Sequence, residues 1–221
     1  MGVRTSGFRA PTLAGLGALA CLSLGAAGCS SSSSPAPAGA GGGAGAANVF
    51  VGNVAGTDAQ VGIVAGASQA VLYFCGGDGS YETKTHWIPS AAVSGAAFSA
   101  ASDPGGWSIS GTLGDAGASG SVVMGDGGTF AFSATPVAAQ TIAGLYKAIG
   151  PCGTIGVIAT QASPGDTPAI QGACLPASGS SMGSVEQVNP VMPIQRATDG
   201  TIAVSVGGST VAVKAVTSAA E

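Results

Sequence analysis

The only histidine of the chain lies in the segment with the most side chains suited to acid–base or metal chemistry. Asp78, Glu82 and His86 occur within nine residues, and carboxylates and imidazoles are common general acids, general bases and metal ligands. A spacing of four would align them on a helix, but the neighbouring glycines and threonines favour a turn followed by a strand. On a strand, His86 and Ile88 share one face and Trp87 takes the other. We therefore interpret this segment as a polar strand beside a turn, with metal or acid–base chemistry as the alternative.

The other candidate groups carry weaker signals for catalysis. Serines are numerous, so counting alone leaves a Ser-His-Asp triad open, but Asp103, Asp115, Asp126 and Asp199 all occupy turn contexts. The glycine clusters contain no G-x-x-x-x-G-K-[ST] phosphate loop, and no strand–turn–helix pattern accompanies them. We therefore predict that the chain is not an enzyme and that it binds no metal and no organic cofactor.

The five cysteines limit the thiol and disulfide chemistry that the chain can have. Cys21 and Cys29 lie in the N-terminal segment of the chain, which leaves Cys75, Cys152 and Cys174 for the rest. Disulfides persist in the compartments that exported proteins reach. We expect Cys75, which ends an apolar run, to be a buried free thiol, although a pair of Cys75 with Cys174 that joins two halves of the chain is the alternative. The lack of a C-x-x-C pair argues against a zinc site.

The spacing of the last two cysteines favours a disulfide between Cys152 and Cys174. A hairpin of residues 153–160 against residues 169–175 places Cys174 opposite Ile155, three residues from Cys152. A slight bulge would then bring the two sulfur atoms together.

The first 29 residues resemble the lipobox-type signal peptide of bacterial lipoproteins. Two arginines precede an apolar stretch from Leu13 to Ala27, small residues lead up to Cys29, and five serines follow. The resemblance implies that residues 1–28 are a signal peptide and that diacylglycerol is attached to the sulfur of Cys29. The serine after the cysteine implies the outer membrane if the organism has two membranes. The alternative is plain secretion with cleavage near Ala27 or Gly28.

Composition separates a linker from one folded region. After its cysteine, the segment 29–47 contains only Ser, Pro, Gly and Ala, so we expect a disordered stalk. Residues 48–221 then form the folded domain, with a possible sub-boundary near residue 140. The chain has 6 Lys+Arg against 10 Asp+Glu and a net charge of −4, too few cations for nucleic-acid binding. We expect a monomer that contacts the membrane through its lipid.

Short β-branched or aromatic runs recur about every ten residues in the folded region, separated by Gly, Asp and Pro. This pattern predicts an all-β fold: an antiparallel meander that can close as a barrel, followed by a smaller C-terminal β-hairpin region. An open sheet and a sandwich are the alternatives to closure. In the C-terminal region, Gly207-Gly208 is a hairpin signal between the runs 201–206 and 209–216, with Ile202 among the inward-facing residues. The candidate strands of the meander are 49–54, 60–65, 70–74, 84–88, 96–100, 107–113, 119–124 and 129–134.

Two segments are similar at a constant offset of 94 residues, Val61–Ala65 and Ile155–Ala159. Each is followed by a strand candidate that ends in a cysteine. Either the domain contains two related β units, or glycine-flanked apolar strands look alike in a biased composition, which is the interpretation we favour.

Large aromatic side chains either line a ligand cavity inside the barrel or form its core, and the core is the more common role. The residues proposed for a cavity are Tyr73, Trp87, Trp107, Phe130 and Phe132.

These observations favour a cell-envelope lipoprotein with a non-catalytic binding or structural β domain. Residues 51–59, 73–76 and 144–147 are similar to uncharacterised β-rich secreted proteins of high-GC bacteria, which implies no activity. The first alternative is a lipocalin-like or avidin-like carrier of a small apolar ligand. The second is an enzyme or enzyme inhibitor without a recognisable motif.

Replacing Cys29 by alanine tests the anchoring hypothesis. We expect Cys29→Ala to release the protein from membranes or to leave an unprocessed precursor, because the thiol that would carry the lipid is removed. Membrane fractionation and the mass of the mature chain measure this. An unchanged membrane fraction together with an unchanged mature mass would contradict the hypothesis.

Overall fold

The computed structural model describes residues 48–177 and 184–220, and these residues form an all-β fold. The predicted signal peptide, Cys29 and the linker 29–47 lie outside the described residues. Within the described ranges, no helix is long and apolar enough to cross a membrane. The strands are β1 Asn48–Val54, β2 Gln60–Ala65, β3 Gln69–Cys75, β4 His86–Ser94, β5 Ala97–Ala100, β6 Ser108–Gly114, β7 Gly117–Val123, β8 Thr129–Pro136, β9 Gly144–Gly150, β10 Gly153–Thr160, β11 Ala169–Leu175, β12 Glu186–Gln187, β13 Asn189–Pro190, β14 Thr201–Val206 and β15 Ser209–Ala215.

The strands β1 to β8 form a closed antiparallel barrel, in which each strand pairs with the next and β1 pairs with β8. The predicted meander and its closure are therefore confirmed, and closure leaves the barrel without a free sheet edge. All eight strands fall on the predicted runs. The largest difference is in β4, which continues to Ser94 although the predicted run ends at Ile88. It also begins at His86 rather than Lys84, because the N–H of Lys84 donates to the carbonyl of Ser80 in a turn.

Alternate residues of each barrel strand fill the barrel interior. In β2, Val61, Ile63 and Ala65 belong to the inner core, whereas Val64 belongs to an apolar cluster outside the barrel. The interior is therefore packed with side chains. Its largest members are Phe50, Phe74, Phe98, Trp107 and Phe132.

The remaining strands form a seven-stranded sheet in the order β12-β11-β10-β9-β15-β14-β13. Its two edge strands are consecutive in the chain and only Val188 separates them, so the sheet curls until its edges meet. Val188 is buried in the core inside this curl. The region contains the predicted hairpins but is larger than a hairpin, because β9 joins β10 to β15. Gly207 and Gly208, with φ of 54° and 78°, make the predicted tight turn between β14 and β15.

The predicted disulfide between Cys152 and Cys174 is confirmed, with a Cα–Cα distance of 6.2 Å. The pairing of β10 with β11 places Cys174 opposite Ile155, the register expected from the sequence. Cys75 is the free, buried thiol. Burial raises the pKa of the Cys75 thiol to about 11, so it is protonated and unreactive at neutral pH.

The barrel and the second sheet meet at an apolar seam, formed by the outer faces of β2 and β3 and by β9 and β10. Glycines make the close approach possible. A Cβ at position 62 would lie 3.2 Å from Cδ1 of Leu145 and 3.3 Å from Cγ1 of Ile158. A Cβ at position 156 would lie only 2.4 Å from Cζ of Tyr73, so the Tyr73 ring occupies the space that a side chain would need.

The Tyr73 hydroxyl links the barrel to β11. It donates to the carbonyl of Ala173 at 3.3 Å and accepts from the N–H of Ala173 at 3.1 Å. The side chain is fully buried, and this burial raises the pKa of the Tyr73 hydroxyl. The hydroxyl therefore stays neutral and bonded across the seam.

The two segments related by the offset of 94 occupy equivalent positions in β2 and β10. In β2, the residues of Val61–Ala65 alternate between the barrel core and the seam. In β10, Ile155, Val157 and Ala159 face the core of the second sheet, and Ile158 faces the seam. The similar segments thus present the same faces to their own core and to each other.

Adding a methyl group at position 156 tests the tight contact at the seam. We expect Gly156→Ala to lower the free energy of unfolding by about 1–3 kcal/mol, because the Tyr73 ring must shift. Urea unfolding followed by tryptophan fluorescence measures this. The matched control is Gly114→Ala, where the nearest atom to a Cβ is 3.8 Å away. Equal stability of the two variants would show that the ring is not confined.

Candidate functional site

Polar side chains gather at both ends of the barrel. His86 lies at the end of the barrel that holds the β3–β4, β5–β6 and β7–β8 loops. A cleft lies at the opposite end, which holds the β2–β3, β4–β5 and β6–β7 turns. Because successive strands run in opposite directions, these two groups of loops are at opposite ends.

His86 pairs with a carboxylate that the sequence cluster did not include. Its Nε2 hydrogen-bonds to Oδ2 of Asp103, and its ring stacks on Trp107 with centroids 4.8 Å apart. Asp78 instead accepts from Gln187, and Glu82 accepts from the hydroxyl of its neighbour in sequence. The structure therefore does not bring Asp78, Glu82 and His86 together. No group of three or more His, Cys, Asp or Glu side chains suited to a metal occurs in the described part of the chain.

Asp103 holds the loop between β5 and β6 in place. Its Oδ1 accepts the N–H groups of Gly105 at 2.8 Å and Trp107 at 3.0 Å. Burial acts to raise the pKa of the Asp103 carboxyl, but the Trp107 N–H, His86 and the Gly105 N–H together hold this pKa below its ordinary value. Both carboxylate oxygens are thus engaged in structural bonds. The pair with His86 ties β4 to the loop that covers this end of the barrel.

The five aromatic residues proposed for a cavity do not meet in one place. Tyr73 and Trp87 stack on each other at the seam, with centroids 4.5 Å apart. Trp107 and Phe132 are buried in the barrel core, and Phe130 packs against that core while Lys84 lies over its ring. The barrel wall therefore separates the first pair from the other three.

A cleft of about 790 Å³ lies at the end of the barrel opposite His86. Such a volume is within the range of small-molecule sites. One wall is the barrel rim, another is the 137–143 connection that leads to β9, and the third comes from the second sheet. The apolar side chains that line it include Val49, Val93, Leu113, Val137, Leu145 and Val216.

One cation lies in the lining of the cleft. The Nε and one terminal nitrogen of Arg196 donate to the Tyr146 hydroxyl at 3.2 and 2.6 Å. That hydroxyl in turn donates to the carbonyl of Ile142 at 2.6 Å. In the ranges that the structure describes, ion pairs involve Lys84 and His86 but not Arg196. The guanidinium is thus positioned by a neutral partner, and no carboxylate of the described residues forms an ion pair with it.

The 137–143 connection carries the one left-handed backbone found outside glycine in the described residues. Gln140 has φ of 63° and lies in the lining of the cleft. A non-glycine residue in this conformation costs energy, and such residues are frequent at functional sites. The bond from Tyr146 to Ile142 and a bond from Ile142 N–H to the Gln161 side chain hold this connection in place.

The cleft and its arginine could not be found by motif. Arg196 and Tyr146 are 50 residues apart, and neither belongs to a sequence pattern that suggests a site.

The pattern G-x-S-x-G does occur once, at residues 179–183, but it lies outside the described residues. The short strands β12 and β13 follow it, not the helix that a nucleophile elbow requires.

Comparisons with protein-family models, with curated proteins and with solved structures find no match for this chain.

The acid sensitivity of the fold tests the structural role of Asp103. We expect Asp103→Ala to destabilise the protein by about 1–2 kcal/mol at neutral pH, because three donors lose a charged acceptor. The folded-state pKa lies below the ordinary 3.8, so this stabilisation is complete above that value and is lost as the pH falls through the folded-state pKa. Urea titrations from pH 7 to pH 3 measure the difference from wild type, which should shrink only at the acid end.

The control for this series is Asp166→Ala, which removes an exposed loop carboxylate. It should leave stability unchanged at every pH. A difference for Asp103→Ala that is the same at pH 7 and pH 3 would show that the carboxylate charge is not what holds the loop.

Proposed function

We propose that this protein is a bacterial envelope lipoprotein whose β domain binds a small molecule without catalysis. In this proposal the chain is exported, cleaved before Cys29 and anchored through a lipid on that cysteine, in the outer membrane where the organism has two. The partner of the anchor is the membrane, and the partner of the domain is a ligand in the cleft. The support for export and lipidation is the lipobox resemblance of the first 29 residues.

The observation that carries the binding function is the cleft of about 790 Å³ between the barrel rim, the 137–143 connection and the second sheet. Its walls contain parts of the buried core, since Val49, Leu145 and Val216 also pack in the seam. A concavity that combines apolar side chains with a few placed polar groups is the usual form of a ligand site. A preformed site also loses less conformational entropy when the ligand binds.

The hypothesis of a lipocalin-like carrier differs from this proposal in the position of the bound ligand. A lipocalin-like carrier holds its ligand within the barrel, but here the barrel interior is occupied by side chains such as Phe98 and Phe132. The ligand would therefore sit at the barrel end. The enzyme hypothesis has less support, because both oxygens of Asp103 and the Nε2 of His86 are used to hold a loop.

Filling the cleft with a large side chain tests the binding function. Ala139 is exposed and lies in the cleft lining, so Ala139→Trp should occupy the space of a ligand without disturbing the core. We expect the wild-type mature chain to bind the neutral probe N-phenylnaphthylamine and this variant to bind it at least about tenfold more weakly. The fluorescence of the probe measures the affinity.

The matched control is Ala131→Trp, an equal change at an exposed position of β8 outside the cleft lining. It should bind the probe as the wild type does. Equal binding by both variants, or no binding by the wild type, would contradict a ligand site in this cleft.

A further inference from the structure

We infer that the ligand of the cleft is an amphipathic acid, with an apolar chain and one anionic head group, and that Arg196 binds the head group. This inference deepens the proposed binding function and rests on it. It assigns the chemical class of the ligand and the residue that selects it.

The first argument is the contrast between the walls of the cleft and its cation. The walls contain Val, Leu, Ala and Pro side chains together with the polar side chains of Asn48, Gln140 and Thr141, and Arg196 supplies the positive charge of the lining. Asp115 also lies in the lining, on the turn between β6 and β7, but it forms no ion pair with Arg196 in the described part of the chain. A site that combines apolar side chains with one cation, which has no ion-pair partner among the described residues, is complementary to a molecule with an apolar chain and one anionic end.

The second argument is that Arg196 is held ready to bind. Two of its nitrogens donate to Tyr146, whose ring lies in the core of the second sheet. Its backbone forms a bridge with Ile202 beside β14. A guanidinium has five N–H donors, so donors remain after these bonds for a carboxylate or phosphate. The side chain therefore loses little freedom when an anion binds, which favours affinity.

The third argument is the position of the cleft along the chain. Asn48 and Val49 lie in its lining, so the cleft is at the end of the barrel where the chain enters the domain. In the sequence, 18 residues separate Asn48 from Cys29. With the proposed lipid on Cys29, the cleft opens at the end of the domain that is tethered to the membrane. Amphipathic acids are concentrated at such a surface, either as free single-chain acids or as lipids with an acidic head group.

A matched series of probes tests the head-group preference. Dodecanoate, dodecanol and dodecyltrimethylammonium share one apolar chain and differ in charge, and each is titrated into the soluble mature chain carrying Cys29→Ser, below its micelle concentration. We expect dodecanoate to bind roughly 10- to 100-fold more tightly than dodecanol, and the cationic probe to bind most weakly. Displacement of N-phenylnaphthylamine reports each affinity.

Variants of Arg196 assign the preference to this residue. Arg196→Gln should reduce dodecanoate binding to the level of dodecanol and leave dodecanol unchanged, and Arg196→Lys should restore part of the preference. Tyr146→Phe should weaken dodecanoate binding several-fold, because the guanidinium is no longer held. The control Lys214→Gln removes an exposed cation of β15 that is not in the cleft lining, and it should change nothing.

The outcomes separate the ligand class from the binding function. If dodecanol binds as tightly as dodecanoate in the wild type, or if Arg196→Gln weakens both probes equally, the acid site is wrong while the cleft still binds apolar ligands. If no probe binds, the binding function fails as well. A fourth arm uses vesicles of phosphatidylglycerol. Retention of the protein on these vesicles that depends on Arg196 identifies a membrane lipid as the source of the acid. Dodecanoate binding without retention on vesicles identifies a free acid. Either result supports the site.

Discussion

The Tyr73 ring occupies the space that a side chain at position 156 would need, and this contact determines how the barrel meets the second sheet. A larger residue at position 156 would push the two sheets apart along the whole seam. The Tyr73 hydroxyl also fixes the orientation of the ring, because it accepts from the N–H of Ala173 and donates to the carbonyl of Ala173. The Trp87 ring packs against the Tyr73 ring at a tilt of 33°, and the ammonium group of Lys147 lies 5.5 Å from the Trp87 ring centroid. The seam therefore combines a steric fit with bonds that pair the buried Tyr73 hydroxyl.

The cleft is a consequence of this seam. Leu145 and Val216 pack in the seam cluster and also line the cleft, so the spacing of the two sheets sets the width of the cleft. Tyr146, the next residue along β9 from Leu145, faces the opposite way into the core of the second sheet and positions Arg196. One strand thus supplies both an apolar wall and the support for the cation. Mutations that loosen the seam should for this reason act on binding from a distance.

Local signals in the sequence were enough for the strands but not for the site. Turn glycines and alternating apolar residues predicted every strand of the barrel, and hairpin register alone placed Cys174 opposite Ile155. Such features depend on residues that are close in the chain, where turn chemistry and the period of two apply directly. The bonds of Arg196 to Tyr146 and of Asp103 to His86 join separate strands and loops. The sequence around Arg196 or Asp103 does not indicate which distant residue each of them will bond. The curl of the second sheet was missed for the same reason, because its edges meet only through five residues around Val188.

Strands β2 and β10 meet through equivalent residues, which is how the two subunits of an isologous dimer meet across a two-fold axis. Here both halves belong to one polypeptide, so their encounter is intramolecular and does not depend on protein concentration. The correspondence is confined to these strands, since the barrel has eight strands and the second sheet seven, and the seam is uneven, with Tyr73 against Gly156 and Leu145 against Gly62. The cleft lies beside the 137–143 connection, which occurs once in the chain. Because this single connection forms one wall of the cleft, the proposed binding function implies a stoichiometry of one ligand per polypeptide.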